Sequence, residues 1–301
     1  GILAQLKGVP LVSHLHNPPL QGEAFRWQIR TGLKAVTRFI AVSQATRGSY
    51  TRAGFDPKSI EVVYNGIDLE RFTLKDDRNH TRSALGLAPT AFVVLYAGRI
   101  DKGKNIELLL EAFAQLSQYS AQAQLLIVGS PVNHATPVAA EAYVRQLQHL
   151  SERLAISSRV QWLGRRTDLP QLFRAADVSV LPSLIDTFGR VLAESMACGT
   201  PAVGLRFGGI TEVLGGEFER FQVEVGDVSG LAQLLGSLQG WQQHDPTLAQ
   251  RCRVYVEERF AKEHMVAGVE RVLQQALTLG AARLGPDAKS LQPWHPNALG
   301  I

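Results

Sequence analysis

The sequence contains few of the residues that build disulfide or metal frameworks. Its 301 residues include two cysteines, Cys198 and Cys252, which lie far apart in predicted helices. Two cysteines cannot form the disulfide framework of a secreted domain, so the sequence predicts a protein of the reducing cytoplasm. The zinc-binding patterns H-E-x-x-H and C-x-x-C are absent, and we therefore expect no metal site.

Long apolar runs and the common phosphate-binding fingerprints are missing as well. No apolar stretch approaches the roughly 18 residues that a membrane span needs. Neither G-x-G-x-x-G nor the P-loop motif occurs, so hydride transfer and P-loop phosphoryl transfer lack their usual signatures. A net charge of +4, without an aromatic and basic binding motif, argues against a nucleic-acid partner.

A pair of carboxylates follows one predicted strand. The apolar run 178–181 predicts a buried strand, and a helix is predicted over 189–198. Asp186 and Glu194 stand eight residues apart around this turn, where ligands bind in open parallel sheets. The spacing indicates a site for sugar and ribose hydroxyls. In the alternative interpretation, Asp186 caps the helix and Glu194 lies on a solvated helix face.

A second candidate site follows the predicted strand 92–96. A glycine-containing loop there carries Arg99 and Lys104 and leads into a helix. The planar fork of Arg99 and the point charge of Lys104 suit a diphosphate, whose negative charge must be neutralised. The alternative is a pair of solvated basic residues in a surface turn.

The alternation of strands and helices predicts an α/β fold. Strands and helices alternate from residue 91 onwards, which is typical of a doubly wound parallel sheet. The chain length suggests two domains. We expect a domain remnant, a polar linker, a complete Rossmann-like domain, a helix that returns to the first domain and a disordered tail, at 1–75, 76–82, 83–258, 259–284 and 285–301. The strands of the complete domain are predicted at about 91–97, 124–128, 159–162, 178–181 and 201–204.

A series of motifs gives these segments a family resemblance. In chain order, the motifs are Ala41–Ser43, Val63–Phe72, Gly98-Arg99 with Lys104, Leu125–Gly129, Val160–Gly164, Pro182–Pro201 and Gly208–Glu212. Together they resemble the retaining GT-B glycosyltransferases of family 4. The resemblance covers roughly residues 5 to 275 and implies two Rossmann-like domains.

The resemblance also implies roles for individual residues. Arg99 and Lys104 match the pair that binds the donor diphosphate and supports the departing nucleotide. Glu194 matches the acid that holds the ribose hydroxyls, and Asp186 matches the acid that meets the donor sugar. The family has Glu where this chain has Asp186, and the lost methylene shortens the reach to the sugar. The other donor-binding positions implied by the resemblance are Gly98, Gly164, Arg165, Phe188, Gly189 and Arg190.

A histidine at the end of the predicted strand 9–15 is the third catalytic candidate. His16 matches a family histidine that faces the donor sugar, and the resemblance implies that role here. His14, two residues earlier on the same strand face, is the competing candidate. A capping or packing role is the alternative for both.

The beginning of the chain differs from the family pattern. The first residue is Gly1, and the segment 1–17 resembles a point well inside the family's N-terminal domain. The resemblance therefore implies that the first part of this domain is lacking. Either the sequence is a fragment, or the encoded protein is truncated and inactive.

A basic stripe is predicted on the helix near 23–37. Arg26, Arg30 and Lys34 recur at four-residue spacing, and Arg38 continues the series. Such a stripe beside apolar residues suits anionic lipid headgroups or an acceptor phosphate, so we expect peripheral membrane contact through residues 23–38. A merely solvated stripe is the alternative.

The resemblance implies a hexosyl transfer from a nucleotide diphosphate sugar, UDP- or GDP-linked, to a hydroxyl of a glycan or lipid-linked acceptor. The nucleotide sugar is a co-substrate, and no cofactor is expected. Two alternatives stay open at this point. One is a GT-B nucleotide-sugar epimerase, and the other is an inactive module that binds nucleotide without turnover.

Overall fold

The structure is a computed structural model that describes residues 9–19, 33, 35–75, 77–132 and 136–284. The chain divides into two units. The first unit contains the described residues up to Val63 and from Val266 onwards, and the second unit is Tyr64–Met265. Both units combine parallel strands with helices, which confirms the predicted α/β class.

The first unit is built on a parallel sheet. Its described strands are β1 (Val12–Leu15), β2 (Arg38–Ala41) and β3 (Ile60–Val62), hydrogen-bonded in that order. Helix Gln44–Arg52 connects β2 to β3, as the right-handed crossover of a parallel pair requires. It begins at Ser43, because the Ser43 hydroxyl accepts a hydrogen bond from the N–H of Thr46.

The last helix, Lys262–Leu284, belongs to the first unit from Val266 onwards. It packs closely on the end of β3, since a Cβ atom on Gly268 would lie 2.8 Å from Cγ1 of Val63. Arg271 also forms an ion pair with Glu61 at 3.1 Å. The tail 285–301, predicted to be disordered, lies outside the described residues, as does most of the helix predicted near 23–37.

The second unit contains a parallel sheet whose described strands run in the order β6-β5-β4-β7-β8-β9. The strands are β4 (Phe92–Ala97), β5 (Ala123–Val128), β6 (Val160–Gly164), β7 (Val178–Leu181), β8 (Ala202–Leu205) and β9 (Gln222–Val223). The described helices are Arg78–Ala84, Ile106–Tyr119, Pro137–Arg153, Leu169–Ala175, Arg190–Ala197, Ile210–Val213, Val228–Ser237, Trp241–His244 and Leu248–Phe260. The sequence predicts the first five of these strands. The two-residue strand β9 is too short to show a pattern.

Strand β4 is the centre of the second unit. All of its six residues are buried, which explains its continuous apolar sequence, because a parallel strand with both faces covered has no polar side. Helix Ile106–Tyr119 follows it and buries residues at helical spacing, including Leu109, Phe113 and Leu116. The two cysteines are buried free thiols. No helix of the described ranges has the length and apolar character of a membrane span.

The strand order reverses at β4. The chain passes from β4 outwards to β5 and β6, and then returns to place β7 on the other side of β4. The loops after β4 and β7 therefore leave the sheet in opposite directions and open a crevice between them. This reversal marks the place where a doubly wound sheet binds its ligand.

A buried carboxylate joins β4 to β7. Asp177 lies directly before β7 and accepts hydrogen bonds from Arg82 at 2.7 Å and from the N–H of Val93 at 2.7 Å. Arg78 and Gln242 donate to its other carboxylate oxygen. Because these donors share both oxygens, the buried charge is fully paired.

The segment 76–82, predicted as a linker, differs from that prediction. Residues 78–84 form a helix, and the boundary between the units lies at Val63 and Tyr64. The segment is polar because its charges pair with partners far along the chain: Arg82 with Asp177, and Asp77 with Arg174. The polarity of this segment therefore reflects both ion pairs, of which Arg82–Asp177 is buried, and exposed side chains such as Asn79 and His80.

Replacing Asp177 by Ala is expected to lower the free energy of unfolding by about 3–5 kcal/mol, because it leaves the Arg82 guanidinium buried without its carboxylate. Urea unfolding of the purified chain measures this change. Asp168→Ala is the matched control, since Asp168 pairs with Arg166 on the surface and its loss should cost less than about 1 kcal/mol. Equal losses for both variants would contradict the role assigned to Asp177.

Candidate active site

The loop after β4 turns one lysine inwards. A short 3-10 turn, Lys102–Lys104, begins at Asp101, whose carboxylate accepts a hydrogen bond from the Gly103 N–H at 3.0 Å. Asn105 then adopts a left-handed conformation with φ of 52° and starts the next helix. The tight turn leaves Lys102 exposed and Lys104 only 7% exposed. The alternative of two solvated basic residues does not apply to Lys104.

Lys104 meets the carboxylate predicted from the other loop. Its Nζ lies 2.5 Å from Oδ2 of Asp186, so the structure brings together two residues 82 positions apart in sequence. The helix after Asp186 begins at Gly189 without a side-chain cap, which excludes the capping interpretation of Asp186. The ion pair lies where the loops after β4 and β7 face each other.

Glu194 is buried and not on a solvated face. It lies on helix Arg190–Ala197, and its carboxylate accepts a hydrogen bond from Nε of Arg190 at 2.8 Å. Burial raises the pKa of Glu194, and the charges of Arg190 and Arg71 partly oppose this shift. A buried carboxylate with few partners can accept hydrogen bonds from ligand hydroxyl groups.

Two glycines press against the loop that carries Asp186. Gly208 has φ of 54°, and a Cβ atom on it would lie 2.6 Å from the carbonyl oxygen of Asp186. A Cβ atom on Gly209 would lie 2.0 Å from the carbonyl oxygen of Thr187. Only glycine allows both approaches. The Gly208-Gly209 motif was visible in the sequence, but its role in supporting the Asp186 loop was not.

Arg99 lies on the same loop as Lys104 and is more exposed. Its side chain is 46% exposed, and its Nε lies 3.5 Å from Oδ2 of Asp101. The Tyr96 hydroxyl donates a hydrogen bond to the Arg99 carbonyl and so holds the loop backbone. Burial, and then the charges of Asp186 and Asp101, raise the pKa of Tyr96. Sequence reasoning missed Tyr96 and Asp101, although a tyrosine at a strand end is a visible signal.

The remaining loop residues have different environments. Phe188 is buried, with its ring centre 5.8 Å from that of Tyr64 and 5.4 Å from that of Phe260, so its side chain anchors the loop. Gly189 has φ of 86°, which favours glycine at the start of the helix. Arg190 is exposed and forms an ion pair with Glu194, one helical turn further along the chain.

The glycines at the ends of β4 and β6 allow the backbones to approach. The N–H of Gly98 donates to the Val128 carbonyl at 2.9 Å, and a Cβ atom on Gly129 would lie 1.7 Å from the Gly98 carbonyl oxygen. Gly164 accepts a hydrogen bond from the Gly129 N–H and has open space where a Cβ would lie. Arg165 is exposed beside it. Gly164 and Arg165 thus lie two strands away from β4.

The candidate histidines belong to the first unit. His16 directly follows β1 and its ring centre lies 4.2 Å from that of His14, with both side chains exposed. Arg26, Arg30 and Lys34 of the predicted basic stripe lie outside the described residues. Arg38 does not continue a helix: it begins β2, and its guanidinium donates to the Lys58 carbonyl.

No group of three or more His, Cys, Asp or Glu side chains in the described ranges is placed to bind a metal ion. The charged side chains that follow β4 and β7 include two cations, Arg99 and Lys104, and two acids, Asp186 and Glu194. Such a set matches a ligand that carries both negative charge and hydroxyl groups.

Two family models match the chain. The model of the glycosyl transferases group 1 matches residues 77–255, and the model of Glycosyltransferase Family 4 matches residues 1–71. The fold and the matched regions define the class as GT-B glycosyltransferases of family 4. This chain belongs to the glycosyl transferases group 1.

Two curated relatives show the extent of the similarity. The chain is 29% identical over 249 residues to N-acetyl-alpha-D-glucosaminyl L-malate synthase of Bacillus anthracis, which covers 83% of this chain and 62% of that protein. It is 37% identical over 185 residues to D-inositol 3-phosphate glycosyltransferase of Mycobacterium sp. (strain KMS), which covers 61% of this chain and 40% of that protein. The chain thus matches less than two thirds of the length of either relative.

Solved structures support the same fold. Anabaena Alr3699/HepE in complex with UDP and glucose is similar with a TM-score of 0.82 and 28% identity, over 91% of this chain and 74% of that one. Sucrose-phosphate synthase from Thermosynechococcus elongatus is similar with a TM-score of 0.77 and 25% identity, over 92% of this chain and 71% of that one. Both similarities extend over most of this chain.

Replacing Glu194 by Gln is expected to affect stability in a pH-dependent way. The raised pKa means that the folded chain binds the Glu194 proton more tightly than the unfolded chain does. The contribution of this residue to stability is therefore present at low pH and is lost as pH rises above its ordinary pKa of 4.5. The variant should gain stability relative to wild type as pH rises above about 4.5, measured by urea unfolding.

Glu257→Gln is the matched control for this measurement. Glu257 pairs with Arg253 in the same i,i+4 arrangement, but its side chain is 42% exposed to water. Its replacement should give no comparable gain as pH rises. If the two variants follow the same pH dependence, the buried environment of Glu194 is not its cause.

Proposed function

We propose that this chain transfers a hexosyl unit from a nucleotide diphosphate sugar to a hydroxyl group of a glycan or lipid-linked acceptor, with retention of anomeric configuration. The observation that carries the proposal is the Lys104–Asp186 ion pair at the reversal of strand order. It places a cation suited to phosphate beside a carboxylate suited to sugar hydroxyls. A nucleotide diphosphate sugar carries a diphosphate group joined directly to a sugar, which would place the diphosphate at Lys104 and the sugar hydroxyls at Asp186.

The two cations have complementary parts in this proposal. Lys104 is buried, so its charge acts in a medium of low dielectric and interacts strongly with a phosphate. Arg99 is more exposed, and its planar fork can bind two phosphate oxygens at once. Together they neutralise the charge that develops on the diphosphate as the bond to the sugar breaks. Such stabilisation is usually the largest contribution to catalysis.

The two acids position the rest of the donor. Glu194 holds the ribose hydroxyls, for which its buried carboxylate is suited. Asp186 holds the donor sugar through the oxygen that does not meet Lys104. Gly98, Gly164, Arg165, Phe188, Gly189 and Arg190 complete the donor site in this proposal. Phe188 contributes through its backbone, since its ring is buried.

The proposed reaction needs no metal and no cofactor. The bond between the anomeric carbon and the diphosphate oxygen breaks, and the acceptor oxygen forms its bond on the same face of the sugar. The acceptor proton passes to the departing diphosphate, whose charge Arg99 and Lys104 stabilise. We assign His16 to the donor-sugar side of this reaction because it follows β1 at the family position.

The solved neighbours bear on the donor. Alr3699/HepE is described in complex with UDP and glucose and in complex with UDP-glucose, which favours a UDP-linked donor over a GDP-linked one. The names of the relatives give different acceptors, malate and inositol 3-phosphate among them. We propose that the reaction takes place in the cytoplasm, at the membrane face if the basic segment 23–38 binds anionic lipids.

Replacing Lys104 by Ala is expected to weaken UDP binding by about 10- to 100-fold, because a charge-assisted contact to the diphosphate is lost. Lys102→Ala is the matched control: it removes the same charge from the same turn, but from an exposed position. It should change affinity by less than about 3-fold. Isothermal titration calorimetry with UDP and with GDP measures both variants against wild type.

A transfer assay with UDP-glucose and candidate acceptors accompanies the titration. Release of UDP together with glycosylated acceptor supports the proposal. Nucleotide binding without turnover favours the inactive module, and an altered sugar without free nucleotide favours the epimerase. If Lys104→Ala and Lys102→Ala bind UDP as tightly as wild type does, the proposed donor site is wrong.

A further inference from the structure

The two carboxylate oxygens of Asp101 differ: a capping role explains the contact of one oxygen and leaves the burial of the other unexplained. It begins the turn Lys102–Lys104, and its Oδ1 accepts a hydrogen bond from the Gly103 N–H at 3.0 Å. Its Oδ2 is buried and accepts no hydrogen bond from any residue in the described part of the chain. The residue as a whole is 5% exposed. A buried carboxylate oxygen without a donor is costly and needs an explanation.

Capping alone does not require this second oxygen. Two other helices of the chain begin at residues that cap with a single hydroxyl: Ser43 accepts from the Thr46 N–H, and Thr136 accepts from the Ala139 N–H. A neutral cap would satisfy the Gly103 N–H equally well. Aspartate also caps at Asp56 and Asp227, where it is exposed to water, so the burial of the second oxygen at position 101 is what points to another partner.

That partner is Arg99. Its Nε lies 3.5 Å from Oδ2 of Asp101, which is within the range of an ion pair. The distance is longer than the roughly 2.7–2.9 Å of a charge-assisted hydrogen bond. The contact uses Nε, the nitrogen closest to the backbone, and leaves the terminal nitrogens Nη1 and Nη2 to bind another group. The Tyr96 hydroxyl holds the Arg99 carbonyl at the same time. The backbone and the guanidinium of Arg99 are thus each in contact with a buried residue, Tyr96 and Asp101.

We propose that Asp101 is a positioning residue that orients the Arg99 guanidinium towards the donor diphosphate. The proposal rests on the proposed function, since it assumes that Arg99 binds this phosphate. When phosphate draws the fork outwards, the guanidinium rotates and Nε closes its hydrogen bond to Oδ2. The orphan oxygen is then satisfied only in the loaded site, so that Asp101 favours the bound position of Arg99.

The test is a double-mutant cycle on UDP binding. Asp101→Asn keeps an oxygen for the Gly103 N–H but places an amide where Oδ2 lies. It is expected to weaken UDP binding by about 5- to 20-fold in the wild-type background and by less than about 2-fold in the Arg99→Ala background. Calorimetry gives all four dissociation constants.

Uridine is the control ligand, because it lacks the phosphates. Its affinity should be the same for wild type and Asp101→Asn if the variant acts only through Arg99. A merely structural role would weaken uridine and UDP alike and would persist without Arg99. Either of those two results overturns the inference.

A second variant guards against misfolding of Asp101→Asn. Arg99→Lys keeps the charge but has no Nε for Asp101 and no fork. It should lose nearly as much UDP affinity as Arg99→Ala, and affinity close to wild type would overturn the inference. A wild-type chain that binds neither UDP, GDP nor inorganic pyrophosphate overturns both the proposed function and this inference, whereas binding without coupling overturns the inference alone.

Discussion

The geometry of the candidate site depends on the contacts that Asp177 makes between β4 and β7. These two strands pair at two residue positions, whereas β4 and β5 pair at six. Asp177 extends the short pairing, because its N–H donates to the Val93 carbonyl and its carboxylate accepts from the Val93 N–H. The loops carrying Lys104 and Asp186 leave the other ends of the same strands. The contacts of Asp177 fix the β4–β7 pair at the start of the two strands. They therefore help to set the separation of Lys104 and Asp186, which lie beyond the other ends of these strands.

Two ionic networks among the described residues of the second unit, around Asp177 and around Lys104, are satisfied to different degrees. Asp177 receives four donors and has no capacity left for a ligand. Lys104 has three donors, and within the described ranges one carboxylate accepts from it. Asp101 likewise has an oxygen without a donor in those ranges. Saturated pairing serves the fold, and incomplete pairing beside the crevice provides the capacity to bind a polar ligand.

The sequence predicts the second unit well where one local pattern decides the structure. The apolar run of β4 and the turn residues after it give the strand, the following helix and the loop of Arg99 and Lys104. The sequence does not predict contacts between distant positions, such as Lys104 with Asp186, because nothing local specifies them. The same limit explains why the segment 76–82 was predicted as a linker. Arg82 looks like a solvated residue in the sequence, because its partner Asp177, which accepts its hydrogen bond, lies 95 positions away. Asp101 was missed because a cap residue in a turn looks complete by itself.

The aspartate at position 186 fits its surroundings better than a longer acid would. Its carboxylate already meets Lys104 at 2.5 Å, and the glycines at 208 and 209 hold its backbone from behind. An additional methylene would have to push Lys104 deeper, where it is already buried, or bend the carboxylate away from it. A site that had lost its use would not need to keep a charge matched to this lysine. In the proposed reaction, the shorter side chain of Asp186 thus requires the donor sugar to lie closer to Lys104. This requirement selects which donor sugars can bind.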